Sequence, residues 1–300
     1  MGQAAMEGIE RYLAPTRLQQ ALAVLGLPGG AIVLAGGTDL MPQSLAGRLR
    51  PARLLLNIRH VEGLDGLHVE GDTLVIGALV TVAQLMRDEL TGRHAPLLVD
   101  AAGKFASEQV RNAATIGGNL CNASPAGDLL TPLLALDAEV ELARLATDGG
   151  TLTRHVPMAQ FFSGPGRTQR ASDELLTAVR VPIANTGRPA RIERFYKAGT
   201  RQALDISAIS IALVAARGDD GRLHDVRLAL GAVAPTPLRA RRAEALLEGA
   251  VLDADVIAVA AAAAANDDAQ PIDDVRASAW YRRELLRNMV SRMLEDVHAC

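Results

Sequence analysis

An α+β chain of two or three domains is predicted by three observations. Its 300 residues, 49% hydrophobic and 22% charged, can bury a sizeable core at roughly 100–200 residues per domain. The first two thirds alternate short apolar strands with capped helices, and the last third reads as an antiparallel hairpin followed by helices alone.

The elements follow in chain order. Thr16-Arg-Leu-Gln19 has the form of a capping box opening a helix through Leu25, ended by Gly26, Pro28, Gly29 and Gly30. Ala31–Ala35 is short, apolar and partly β-branched, which predicts a buried strand. It runs into Gly36-Gly37-Thr38-Asp39, ahead of a helix expected through about Gly47. Leu54–Ile58 is a further strand, and Leu67–Glu70 and Leu74–Gly77 form a hairpin across Gly71-Asp72. Thr81-Val-Ala-Gln84 is a second capping box, and Pro96–Phe105 a second helical pattern. Leu129–Leu136 predicts a short buried helix, and Glu139–Leu142, Thr151–His155 and Leu175–Val181 predict strands, the last stopped by Pro182. Asn185–Pro189 has the composition of a connection between domains. Beyond it, Arg191–Tyr196 is strand-like, and Ser207–Ala216 pairs with Leu223–Gly231 across Gly218-Asp-Asp-Gly221. Arg241–Leu247, Asp255–Ala264 and Ala279–His298 complete the chain as helices, the last with Leu286, Met289, Val290, Met293 and Val297 on one stripe. The methionines and the lone Trp280 are read as core.

Two segments fit no packing period. Arg111–Asp128 gathers Gly117-Gly118, Thr115, Asn119, Asn122, Ser124 and Asp128 in what reads as a long loop. Adjacent glycines let backbone amides approach a ligand, and the short polar side chains add hydrogen bonds, which is how a chain cradles phosphate. Asp128 would repel phosphate and suits a sugar hydroxyl instead. Gly36-Gly37-Thr38, after a strand, is a second cradle. It is neither a Rossmann fingerprint nor a Walker loop. The bland alternatives are tight turns, with Thr38 and Asp128 as helix caps.

Composition removes other classes. A formal net charge of −3 without a dense Lys/Arg run argues against nucleic acid and anionic membrane as partners. The longest apolar run, Val256–Ala265, is well short of the roughly 20 residues of a membrane span. Glu7, Glu10 and Arg11 interrupt any signal-peptide pattern. With Cys121 and Cys300 as the only cysteines, neither a disulfide framework nor a Cys-x-x-Cys metal site is available, and a cytoplasmic setting is expected. His60, His68, His94, His155, His224 and His298 show no metal-ligand or catalytic spacing.

Four motifs in register carry a resemblance over nearly the whole chain. Ala35-Gly36-Gly37-Thr38-Asp39, Ala114–Asn119, Ala123–Asp128 and Tyr196–Ser207 resemble the FAD-binding (medium) subunit of molybdenum hydroxylases, the xanthine dehydrogenase family. The resemblance implies a two-subdomain, PCMH-type FAD-binding fold over residues 1–185 (subdomains about 1–60 and 61–185), then a C-terminal α+β domain over 186–300 with an antiparallel sheet and a helical bundle. FAD would be bound non-covalently. Val33, Leu34, Ala35, Gly36, Gly37, Thr38 and Asp39 would wrap its diphosphate, with Ala114, Thr115, Ile116, Gly117, Gly118 and Asn119 on the opposite side. Cys121 and Asn122 would line the pocket, Asp128 would hold ribose or ribityl hydroxyls, and Leu175 and Leu176 would lie against the isoalloxazine. Lys197 would be a flavin contact whose charge favours the reduced form near N1.

The implied activity is oxidoreductase, as one subunit of a heterotrimer. A large subunit would hold molybdopterin and act on the organic substrate, a small subunit would relay electrons through [2Fe–2S] clusters, and this chain's FAD would exchange them with NAD, oxygen or another acceptor. No residue of this chain is assigned a catalytic or metal-binding role. One relative, the 4-hydroxybenzoyl-CoA reductase flavoprotein, carries an inserted [4Fe–4S] loop. Here only six residues separate Cys121 from Asp128, without the four thiolates such a cluster needs. Two other readings stay open at this level: a free-standing FAD-dependent oxidase or dehydrogenase acting on its own substrate, and a non-redox binding protein, which would stay colourless after incubation with FAD.

Overall fold

The computed structural model describes residues 9–48, 53–183, 191–201 and 204–299. Its first sheet is small and parallel. Strands β1 (Arg11–Leu13), β2 (Ile32–Leu34) and β3 (Leu54–Asn57) pair in the order β1-β3-β2, with helices Leu18–Leu25 and Leu40–Leu45 between them in sequence. In chain order there follow β4 (Leu67–Glu70), β5 (Thr73–Gly77), β6 (Glu139–Leu145), β7 (Thr151–Pro157), a hairpin of β8 (Phe162–Gly164) and β9 (Arg167–Thr168), and β10 (Leu175–Pro182). Five of these make an antiparallel sheet in the order β4-β5-β10-β6-β7. The third sheet, also antiparallel, runs β11 (Arg191–Ala198), β12 (Ile209–Arg217), β13 (Leu223–Gly231), β14 (Leu238–Arg239).

Strand β12 shows why the third sheet cannot be separated from what precedes it. It is buried along both faces, as a run with no polar alternation requires. Ile209, Ile211, Leu213 and Ala215 join a core with Leu286, Val290, Met293 and Val297 of the last helix. Ala212 and Val214, on the other face, join the core of the five-stranded sheet with Leu74, Ile76 and Leu133. The small parallel sheet has its own core, Leu22, Leu25, Leu56 and Ile58, closed by Ala143 of β6 and Leu175 of β10.

Most sequence expectations hold to within two residues, and the exceptions have physical causes. Thr16 does not cap the first helix: the helix begins at Leu18, the extended Arg17 precedes it, and no side chain caps it. β2 is half-buried rather than buried, because it is an edge strand with β3 as its one neighbour. The Arg111–Asp128 stretch is no long loop but two short helices, Glu108–Ala113 and Ile116–Asn122, with a turn after them. Asp128 caps nothing; the helix Leu130–Ala135 has no side-chain cap. Trp280 is 70% exposed rather than core. The place one turn before Leu286 belongs to Arg282, which is 2% exposed and donates to Ala208 O, Ile272 O and Asp274 Oδ1. Trp280, two residues earlier, is carried off that stripe. The Asn185–Pro189 connection and Cys300 lie outside the described residues.

Candidate functional site

The first candidate segment leaves β2 and turns sharply. Val33, Leu34, Ala35, Gly36, Gly37 and Thr38 are half-buried and Asp39 is exposed. Gly37 has φ +74°, a left-handed conformation that a side chain would strain. Among the described residues, the amides of Gly36, Gly37, Thr38 and Asp39 donate to no protein acceptor. Four consecutive open N–H groups around a left-handed glycine form an anion-binding concavity. Gly36 is needed for a different reason: a Cβ there would stand 1.9 Å from Ala113 O. The segment is thereby pressed against the start of the second one.

The second segment uses its backbone otherwise. A helix N-terminus leaves its first amides without intrahelical partners, but here they are consumed. Ile116 N–H donates to Val80 O and Gly117 N–H to Ala78 O, both at 2.9 Å, and Gly118 N–H donates to the capping Thr115 Oγ1 at 3.1 Å. A Cβ on Gly117 would stand 2.8 Å from Ala78, so this glycine serves close packing. The amides of Gly117 and Gly118 are thus engaged within the protein, unlike those of the first segment. What the helix keeps for a ligand is side chains. Asn119 Oδ1 is buried with no hydrogen-bond partner among the described residues, a loss of about 1–3 kcal/mol unless a ligand or water donor fills it. Cys121 is exposed, and Asn122 Oδ1 accepts from Gln43 Nε2 at 3.2 Å. Gln43 also donates to the Asp39 carboxylate, so it ties the two segments together, a role that local spacing does not reveal.

Asp128 and Lys197 form a separate cluster. Lys197, on β11, donates to Asp128 Oδ2 at 2.7 Å and to Lys104 O at 2.9 Å, and Ser207 donates to Asp128 Oδ1 at 2.8 Å. The side chains of Lys197 and Asp128 are 8% and 10% exposed. Burial pushes the Asp128 carboxyl above its ordinary range, with the Lys197 ammonium and the Ser207 hydroxyl pulling the other way. Ser207 closes one of the motifs quoted above, and Lys104 follows an apolar helix; neither had been given a role. Leu175 and Leu176 are each 3% exposed, Leu175 in the core beneath the small parallel sheet and Leu176 in that of the five-stranded sheet. Packed on β10, they leave little side-chain surface for a ring.

Open amides beside a glycine that tolerates no side chain, with an orphaned Asn119 oxygen on the adjoining helix, fit a phosphate-containing cofactor with hydroxyl donors. Comparison with known proteins agrees. Residues 5–184 match the family model for the FAD binding domain in molybdopterin dehydrogenase, and 194–297 that for the CO dehydrogenase flavoprotein C-terminal domain. The chain is similar to the xanthine dehydrogenase FAD-binding subunit of Escherichia coli O157:H7, at 33% identity over 96% of each chain. It is likewise similar to the carbon monoxide dehydrogenase medium chain of Hydrogenophaga pseudoflava, at 32% over 96% of each. Among solved structures, carbon monoxide dehydrogenase from Hydrogenophaga pseudoflava superposes with a TM-score of 0.86 at 33% identity, covering 95% of both chains. Reconstituted CO dehydrogenase from Oligotropha carboxidovorans gives 0.88 at 30%, covering 97% of this chain and 98% of that one. This chain belongs to the family of FAD-binding medium subunits of the xanthine dehydrogenase and carbon monoxide dehydrogenase group, and so to the flavoprotein oxidoreductases.

Proposed function

We propose that this chain is the subunit through which a cytoplasmic, heterotrimeric molybdenum hydroxylase exchanges electrons with an external acceptor. The carrying observation is the run of unengaged amides from Gly36 to Asp39, set beside Asn119 by the close approach of Gly36 to Ala113. Those amides would hold the FAD diphosphate, reached along Val33, Leu34 and Ala35. Asn119 Oδ1 would accept from a cofactor hydroxyl, and Cys121 and Asn122 would line the wall beside it. Thr115, Ile116, Gly117 and Gly118 would shape that wall by packing, with Gly118 left exposed. Asp128 and Lys197 would meet the cofactor further along. Bound FAD supplies hydride and single-electron transfer; the protein supplies binding, orientation and charge.

The partners follow from the relatives, which are named as FAD-binding subunits and medium chains of xanthine and carbon monoxide dehydrogenases. A molybdopterin large subunit would handle the organic substrate, a small subunit would pass electrons through [2Fe–2S] clusters, and NAD, oxygen or another carrier would take them up. Among the described residues no helix is long and apolar enough to cross a membrane, and no group of side chains could hold a metal ion. The test is to express the chain alone and with the two candidate partner subunits, then follow its flavin absorbance on adding the large subunit's substrate. Substrate-dependent bleaching only in the complex is expected. Turnover of an organic substrate by the isolated chain, or the lack of any stable complex, would overturn the proposal.

A further inference from the structure

The buried Asp128–Lys197 pair has a hydrogen-bond inventory that can be counted. An ammonium has three N–H donors and a carboxylate about four lone-pair positions. Lys197 spends one donor on Asp128 and one on Lys104 O; Asp128 uses one position on each oxygen, for Ser207 and for Lys197. One donor and two acceptor positions remain, on side chains that protein covers to about nine-tenths. Lys104 is tied to the same strand from the other direction. Its ammonium donates to Phe195 O at 2.6 Å and stands 5.3 Å from the Phe195 ring centre and 5.8 Å from that of Tyr196. Phe195 lies two residues before Lys197 on β11, so two lysines clasp one another's backbone neighbourhood: Lys104 holds the strand, and the strand's Lys197 holds the Lys104 carbonyl. Although Lys104 as a residue is exposed, its ammonium is partly desolvated there, which lowers its pKa, Asp100 opposing and Lys197 adding to the effect.

We propose that Ser207 and Lys104 are positioning residues for the flavin: they fix Asp128 and Lys197 in one arrangement, leaving one ammonium N–H and the unused carboxylate lone pairs for the cofactor. The inference rests on the reading that Asp128 and Lys197 meet FAD. A lysine side chain held by one anchor still samples rotamers and must be ordered when the cofactor binds. The second anchor removes that freedom before the cofactor arrives. A positive charge fixed beside the cofactor favours its more negative, reduced form.

The experiment uses the full chain reconstituted with FAD and measures three quantities: the FAD dissociation constant, the flavin midpoint potential and the melting temperature of the FAD-free protein. Lys197→Met and Asp128→Asn test the underlying reading. Ser207→Ala and Lys104→Met test the inference, the latter keeping the carbonyl that Lys197 uses but releasing the Phe195 bond that ties that carbonyl to the strand, with Ser207→Thr and Lys104→Arg as rescues that keep a hydroxyl and a cation. For Lys197→Met, the preference for reduced over oxidised FAD should fall about tenfold, which is about 30 mV for a two-electron couple. Ser207→Ala and Lys104→Met should each lower it about three- to fivefold, and the rescues should restore it to within about twofold. If the first two variants leave both flavin quantities unchanged, the reading fails and the inference with it. If they act but Ser207→Ala and Lys104→Met change only the melting temperature, or affect both oxidation states equally, the inference alone is overturned. Lys104 being exposed, its variant decides the question even if Ser207→Ala does not fold.

Discussion

Gly36-Gly37 and Gly117-Gly118 lie on adjoining segments, and each is preceded by an apolar stretch, yet they expose opposite parts of the chain. At the first pair the backbone amides are open and the glycines permit a left-handed turn and a close approach. At the second the amides are spent on Ala78, Val80 and Thr115, Gly117 packs against Ala78, and the unsatisfied polar group is the Asn119 side-chain oxygen. A Gly-Gly dipeptide therefore signals proximity without saying what is brought close. What decides is whether the next element docks against a neighbour. The helix Ile116–Asn122 docks on the 78–82 segment, whereas the amides of the 36–39 turn donate to no acceptor among the described residues.

The largest effect should come from adding a methyl group at the first pair. At Gly36 a Cβ would overlap Ala113 O, and neither partner there is a side chain that can swing aside. At Gly37 the φ of +74° costs a residue with a Cβ about 1–2 kcal/mol. Gly36→Ala should lose FAD binding by more than about 100-fold and Gly37→Ala by about 10-fold, both read by fluorescence titration. Gly118→Ala meets only Thr115 Oγ1, at 2.9 Å, and should change the affinity by less than about threefold. Leucine at 37 or 118 should abolish binding at both sites, by strain at 37 and by bulk at the exposed 118. If Gly118→Ala proves as damaging as Gly37→Ala, the two pairs do the same thing and the comparison collapses.

An intermediate effect is expected at Asn119, where affinity and stability should move in opposite directions. Its Oδ1 has no partner among the described residues, so Asn119→Leu removes an unpaired buried acceptor. The FAD-free protein should melt about 2–4 °C higher. The same variant should bind FAD about 10-fold more weakly, the worth of one hydrogen bond to a cofactor hydroxyl. Paired melting curves with and without FAD check both signs. A loss of FAD-free stability would mean that Asn119 already has a partner.

The parts of the fold that periodicity specifies were readable in advance. The Gly71-Asp72 hairpin, the Thr81–Gln84 capping box, the fully buried helix Leu130–Ala135 and the stripe from Leu286 to Val297 all depend on local spacing, which a sequence displays. The misreadings share one cause, tertiary competition for a place. Arg282 outcompetes Trp280 because three backbone and side-chain acceptors from distant segments converge on its guanidinium. Leu175 and Leu176 go to the core because β10 is the central strand of its sheet, flanked by β5 and β6. The site was legible as a set of segments but not as contacts. Asp128 and Lys197 were each assigned to the cofactor, whereas their nearest partners are each other and Ser207. A pairing across 69 positions leaves no trace in local spacing.

The smallest effect, and the one that most directly tests whether the second helix faces the cofactor, concerns Cys121. Its residue surface is exposed, so a reagent can reach it. Desolvation by the surrounding protein nonetheless raises the thiol pKa, with the Arg170 charge working against it. Only the thiolate reacts, so alkylation at neutral pH should be slow and should still be accelerating as the pH climbs past the ordinary thiol range. The measurement uses a Cys300→Ser background, which leaves Cys121 as the sole thiol, and follows iodoacetamide incorporation by mass spectrometry. Saturating FAD should slow labelling about three- to tenfold, because a cofactor lying along the Asn119–Asn122 stretch of the helix would cover the sulfur. The FAD concentration giving half-protection should equal the dissociation constant from fluorescence, linking the protection to the same binding event. Equal labelling rates with and without FAD would place the cofactor against the open amides of the first segment alone, leaving the helix Ile116–Asn122 as a packing element and Asn119 without its ligand.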